Sequence, residues 1–411
     1  MKRTCLIESR NEPTDMRLLD WVFCIYLVTT NVTIVTSQLT AAMQNVTYLL
    51  FAGIVLYLQE FRLRKSAYFG FYGAFLLFSV ASLLWTITPS GTMKLLRILI
   101  KVFLISIAVA SYYNTSNRIE RSMKAIYCSL IIMVGYVTIM TPVSNWTSEA
   151  LGKEFGIDTV RYAVRAAFCA VLGLYYYTKT KKKIHLALCF SMLMLSLITA
   201  KRTGIVFFAI AALIYYFVLQ PNINKRLKAI IIIAIIGLIA LQVIESVPIL
   251  SKTIGKRILD FTSTFFGGQM VDASTIQRTK LMGYAIELFK KNPIFGNGLN
   301  ATRAYLGALN FEHVTYAHNN YLEIASGLGI VGVVLYYAMY GYGLLQCRKS
   351  LRTERKKQTA FILALLVAYL VCDLMQVSYE SYYEIVVLAV LVTGAQNANK
   401  EARAAKTVSE A

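Results

Sequence analysis

The chain has 411 residues, of which 57% are hydrophobic and only 15% charged, and its mean hydropathy is +0.56. Soluble domains carry about 25% charged residues, so this composition excludes an ordinary water-soluble enzyme and calls for lipid as a solvent. The net charge of +21 sits in short loops between apolar runs, which is how membrane proteins fix their orientation, and does not point to nucleic acid.

In chain order, the apolar runs predict spans at 18–38, 44–60, 67–86, 95–113, 121–142, 163–178, 184–200, 203–219, 227–247, 320–346, 358–376 and 381–397. A bilayer core takes roughly 20 residues per helix, and no small-residue cleavage site follows the first run, so it reads as a span and not a removable signal. Alternate connections carry the basic residues: Lys2 to Arg17, Arg62 to Lys65, Arg118 to Lys124, Lys179 to Lys183, Lys225 to Lys228, Arg348 to Lys357 and Lys400 to Lys406. By the positive-inside rule these share the cytoplasmic side with both termini. The predicted fold is an all-α polytopic membrane protein of about 12 transmembrane helices in the cytoplasmic (inner) membrane of a bacterium. Its parts are a nine-helix bundle over 1–247, a large extracytoplasmic loop over 248–319, C-terminal spans over 320–397 and a cytoplasmic tail over 398–411. Within the loop, Ile276, Met282, Ala285, Ile286 and Phe289 recur at helical spacing, which predicts a surface helix ending at Asn292-Pro293. The seven cysteines show no metal-ligand spacing and read as small buried hydrophobes.

Basic residues on the predicted outer side need a reason. Arg202 stands in Thr199-Ala200-Lys201-Arg202-Thr203-Gly204, between two apolar runs with almost no loop. A guanidinium there either snorkels to the interface or faces a phosphate-bearing ligand. Arg278 opens the surface helix, where lipid headgroups are an equal explanation. Arg161 and Arg165, four apart, are interfacial anchors or further phosphate contacts. His318 lies in Tyr316-Ala317-His318-Asn319-Asn320-Tyr321-Leu322-Glu323, where the loop re-enters the membrane; it is either a helix-start residue or a base for a sugar hydroxyl. Gly327, Gly329 and Gly332 follow and allow close packing. Asn319, Glu323, Asp373 and Glu384 are candidate supporting residues, the last two near Glu380 in the final hairpin.

Three pieces in this order resemble the O-antigen ligase and Wzy-type polysaccharide polymerase superfamily: Thr199–Gly204; Gln277-Arg278 with the run from Ala285 to Gly298; and His318-Asn319 with Leu322 and the three glycines. The resemblance covers roughly 185–395. It implies a glycosyltransferase of the multi-spanning GT-C type with no cofactor and no metal, taking a glycan from undecaprenyl diphosphate at the outer face. Arg202 and Arg278, joined by Arg161 and Arg165, would bind the diphosphate, and His318 would act as general base. The acceptor would be a saccharide, on lipid A–core for a ligase or on another lipid-linked repeat for a polymerase; membrane lipids, a flippase and a chain-length regulator are the implied partners. The alternative is a multi-pass transporter or binding protein for lipid-linked or anionic substrates. The scarcity of acids inside the spans weighs against it.

Overall fold

The computed structural model describes residues 14–33, 37–146, 150–199, 201–228, 273–311, 314–351 and 355–409. Most of the expected span at 227–247, the first part of the large loop (248–272) and His313 lie outside the described residues. What is described is helical: α1 (Leu18–Thr29), α2 (Ser37–Leu58), α3 (Ala67–Ala81), α4 (Pro89–Tyr112), α5 (Ser116–Met140), α6 (Thr159–Thr180), α7 (Lys183–Ile198), α8 (Arg202–Leu219), α9 (Ala273–Lys291), α10 (Ala301–Ala308), α11 (Asn320–Ser350), α12 (Lys356–Cys372) and α13 (Tyr382–Ser409). Among the described residues, five helices are long and apolar enough to cross a membrane: Gln38–Leu58, Ala67–Leu84, Ser116–Met140, Arg202–Leu219 and Asn320–Ser350.

Local chemistry sets the helix ends. Thr115 accepts from the Arg118 N–H at 3.3 Å, and Asp158 from the Arg161 N–H at 2.8 Å, each capping a first turn. Pro89 opens α4, where its missing N–H costs nothing. The first predicted span is shorter than expected. Thr29, Thr30 and Asn31 turn their side chains back onto the carbonyls of Tyr26 and Leu27 at 2.6–2.9 Å, and the helix stops after 12 residues. At 1.5 Å per residue that is about 18 Å, short of a bilayer core of about 30 Å.

Among the described residues, several of the loops predicted to share one side meet at one end of the bundle. There Asp20 accepts from Tyr113 Oη at 2.9 Å and lies 3.3 Å from Arg121, both acid and base fully buried. Glu120 pairs with Lys179 at 2.8 Å and accepts from Tyr175 at 2.7 Å. Arg355 joins Asn117 to Glu401. The opposite end gathers the Thr86–Gly91 turn, the heads of α6, α8 and α13, the end of α12 and the described part of the large loop.

Helix α9 buries a different stripe from the predicted one. Leu281, Ala285 and Leu288, spaced four and three apart, are buried against its neighbours, whereas Ile276 and Ile286 are exposed. The glycines also act differently. Helix α11 breaks at Gly329 (φ 63°, ψ −166°), and the Pro293–Gly298 turn fills the break: Gly298 N–H bonds Gly327 O at 2.7 Å and Ile330 N–H bonds Pro293 O at 2.9 Å. Asn297, buried, donates to Ser326 O and Leu288 O. The predicted close packing is thus a backbone-to-backbone seam, and it pins the half-helix 320–328 to the loop.

Candidate functional site

His318 sits immediately before α11 in a left-handed conformation, φ +54°. For a residue with a Cβ this costs about 1–2 kcal/mol, and both neighbours hold it. On one side the Ala317 N–H donates to Glu323 Oε2 at 2.8 Å; on the other, Asn319 Oδ1 caps the Leu322 N–H at 3.0 Å. Asn320 then anchors the half-helix to the last hairpin. Its N–H bonds Asp373 O at 2.7 Å, its amide donates to the Asp373 carboxylate at 3.1 Å, and its Oδ1 accepts from the Ser378 and Tyr379 N–H groups. Glu323→Ala would leave the buried Ala317 N–H unpaired, a cost of about 1–3 kcal/mol. Thermal unfolding should show that loss, and Glu323→Gln, which keeps an acceptor, should show less.

The imidazole is half-buried. Burial and the Arg278 guanidinium push it down to about 4, against the opposing Asp158 carboxylate, so it is a neutral acceptor near pH 7. Its ring lies 4.5 Å from that of Tyr316, and the Arg303 guanidinium stands 5.3 Å over the other ring. Arg303 is fixed by two bonds to Glu380, at 2.6 and 3.1 Å, and one to Asn300 at 2.8 Å. This ties α10 in the loop to the head of α13.

Arg278 and Asp158 thus both act electrostatically on His318, and Arg161 stands 3.3 Å from Asp158. Arg202 heads α8, half-buried. Gly204, two residues on, is where α6, α7 and α8 close: a Cβ there would sit 2.8 Å from Ala163 O and 2.5 Å from Ser196 Oγ. Thr203 O accepts from Cys372 Sγ at 3.8 Å, which places Arg202 next to the Cys372-Asp373 corner that anchors Asn320. Arg165 and Glu384 are held otherwise. Arg165 is 1% exposed, bonds Glu384 at 2.7 Å and Asn31 at 2.8 Å, and stacks 3.8 Å over Tyr383. Its Nη1 alone makes no hydrogen bond, and Glu384 already matches its charge.

Sequence reasoning passed over Asp158, Tyr316, Arg303 and Asn320 as site residues. Arg303 left a signal, a lone cation in the short segment after Gly296-Asn297-Gly298; Asp158 and Tyr316 left none that distinguishes them from ordinary loop residues.

Residues 187–337 match the family described as O-antigen ligase. Over this segment the chain resembles the O-antigen ligase and polymerase-like superfamily. The matched segment contains Arg202, Arg278 and His318, and stops short of Asp373 and the head of α13. The teichuronic acid biosynthesis protein TuaE of Bacillus subtilis (strain 168) is 22% identical to the chain in an alignment of 365 positions that covers 81% of this chain and 72% of that protein. The family match and the relative both support a membrane-protein role in polysaccharide polymerisation or ligation.

Proposed function

We propose that the chain transfers a glycan from a polyprenyl diphosphate to a hydroxyl of a second saccharide. The neutral His318 imidazole, fixed in a left-handed turn beside Arg278, carries this reading. His318 takes the proton of the acceptor hydroxyl, whose oxygen attacks the anomeric carbon. The bond from that carbon to the diphosphate oxygen breaks, and the configuration inverts. Arg278 and Arg202, with Arg161 at the rim, hold the departing diphosphate, whose charge grows as it leaves. Arg165 serves as a buried strut through Glu384 and does not contact the ligand. Asn319, Glu323 and Asp373 position the base. The basic loops lie at the other end of the bundle; with that end in the cytoplasm, the site opens on the extracytoplasmic face, where a flippase delivers lipid-linked glycan.

Proteoliposomes supplied with lipid-linked donor and acceptor, without added metal, should form the glycosidic product. Absence of product with uptake of the intact lipid-linked substrate would overturn the reading in favour of transport. The pH profile supplies a second check. Arg278 lowers the His318 pKa, so Arg278→Gln should let it rise from about 4 toward the ordinary 6.5. The acid limb of kcat/KM moves to higher pH, and an unmoved limb would separate the two residues.

A further inference from the structure

Helix α4 carries three cations that the site above does not use. Lys94, Arg97 and Lys101 recur at i, i+3 and i+7, on one face. Lys94 and Arg97 are exposed, and among the described residues neither has a hydrogen-bond or ion-pair partner. Lys101, deeper in the bundle and half-buried, donates to Asn45 of α2 at 2.6 Å and stands 5.7 Å from the Tyr382 ring of α13.

Among the described residues, the surroundings supply no counter-charge. Helix α4 packs against α2, α3 and α13. Helices α2, α3 and α4 contain no acid. In α13 the acids are Glu384, held by Arg165, and Glu401, held at the far end by Arg355. Exposed Met93, Ile100 and Leu104 flank the cations on the same helix. The surface therefore combines three uncompensated charges with hydrocarbon, the chemistry of an anionic lipid. Arg97 and Lys101 fall within the expected span 95–113, where uncompensated cations are costly and are kept where they meet an anion.

Two further observations narrow the ligand. The cations spread over about 10 Å of helix rise, longer than one phosphate can bridge. Side chains on a helix lean toward its N-terminus, here the Pro89 end, where Gly91 packs against Asn300 of α10 at the candidate site. The heads also divide across α13: Tyr382 faces Lys101 while its neighbour Tyr383 lies under Arg165 of α6. The α4 ladder thus meets a different face of α13 from Arg165, and Glu380, bonded to Arg303, stands at the head of that helix.

We infer that Lys94, Arg97 and Lys101 form a second lipid-diphosphate site, which receives the acceptor's polyprenyl carrier while the arginines around His318 receive the donor's. This rests on the proposed transfer and deepens it, because an enzyme with two carrier sites joins two lipid-linked glycans and is a polymerase.

The test counts bound lipid by native mass spectrometry, using the full chain in phosphatidylcholine nanodiscs with undecaprenyl diphosphate. The wild type should bind two molecules, and the K94Q/R97Q/K101Q variant one, with at least tenfold weaker occupancy of the second. K94R/R97K/K101R, which keeps the charges, should bind two. Arg97→Gln alone, at an exposed position, should weaken the second molecule and leave thermal unfolding unchanged. Two molecules retained by the triple Gln variant, or a single molecule on the wild type, overturns the inference. Displacement of the second molecule by an equal concentration of phosphatidylglycerol also overturns it, since the site then takes any anionic headgroup. Arg278→Ala should remove the other molecule. If it removes none while the triple Gln variant removes one, the donor assignment fails and the α4 site stands.

Discussion

His318→Asn should lower the rate of glycosyl transfer about 10²–10⁴-fold, the range a positioned general base supplies, with lipid-diphosphate binding unchanged. Asparagine is the informative substitution because of the backbone. At φ +54° an alanine would carry the left-handed penalty with nothing to offset it, whereas asparagine visits that region readily. The turn should therefore survive, with Ala317 still bonded to Glu323 and Asn319 still capping α11. The amide can hydrogen-bond an acceptor hydroxyl but cannot take its proton. The loss belongs in kcat, with KM for the donor little altered, because Arg202 and Arg278 remain. Burst measurements with donor in excess over enzyme would separate the step. Undiminished transfer by a folded His318→Asn protein would remove the histidine from the chemistry. The wild-type base stays neutral down to about pH 4, so transfer should persist well below the pH at which a free imidazole protonates.

Much of this was legible because lipid simplifies the code. Apolar runs bounded by charge predicted most helix positions closely, as at 203–219 against Arg202–Leu219, since backbone groups in hydrocarbon must bond within their own helix. The first span failed where three polar side chains, Thr29, Thr30 and Asn31, turned inward and ended the helix. That is a local competition that hydropathy averages away. The proposed site draws on residue types that the sequence singles out: an arginine with no loop to hold it, and a histidine just ahead of an apolar run. It was not legible as geometry. Arg165 and Arg161 share one helix and one spacing signal, yet Glu384, 219 positions along the chain (384 less 165), takes up the first and leaves the second at the surface. Nothing in a window of sequence reports that partner. Lys94, Arg97 and Lys101 escaped for the opposite reason: averaged with their neighbours they vanish into an apolar span, and only the helix face shows them together. The stripe on α9 shifted to Leu281 and Leu288 because its partner is the broken α11, whose break no periodicity describes.

That break gives the second large effect. Gly329→Ala should destabilise the protein by about 2–4 kcal/mol and abolish transfer. Two independent terms act at this position. The pair φ 63°, ψ −166° lies in a region essentially reserved for glycine. A Cβ would also stand 2.2 Å from Ile294 O and 2.7 Å from Gly296 N, both backbone atoms that cannot rotate aside. Relief requires either that the Pro293–Gly298 turn withdraw or that α11 straighten, and each breaks the bonds from Ile330 to Pro293 and from Gly298 to Gly327. A straightened α11 would swing the half-helix 320–328 off Asp373, carrying His318 away from Arg278. Activity should therefore fall even in the fraction that remains folded, and hydrogen exchange at 294–298 and 320–328 should rise together. Gly341, in the same helix with nothing within 4 Å of its would-be Cβ, is the control. Gly341→Ala should be neutral or stabilising by up to about 1 kcal/mol, the ordinary helix preference. Equal unfolding temperatures for the two variants would mean that the seam does not hold the loop, and the base would then need another means of being held over Arg278.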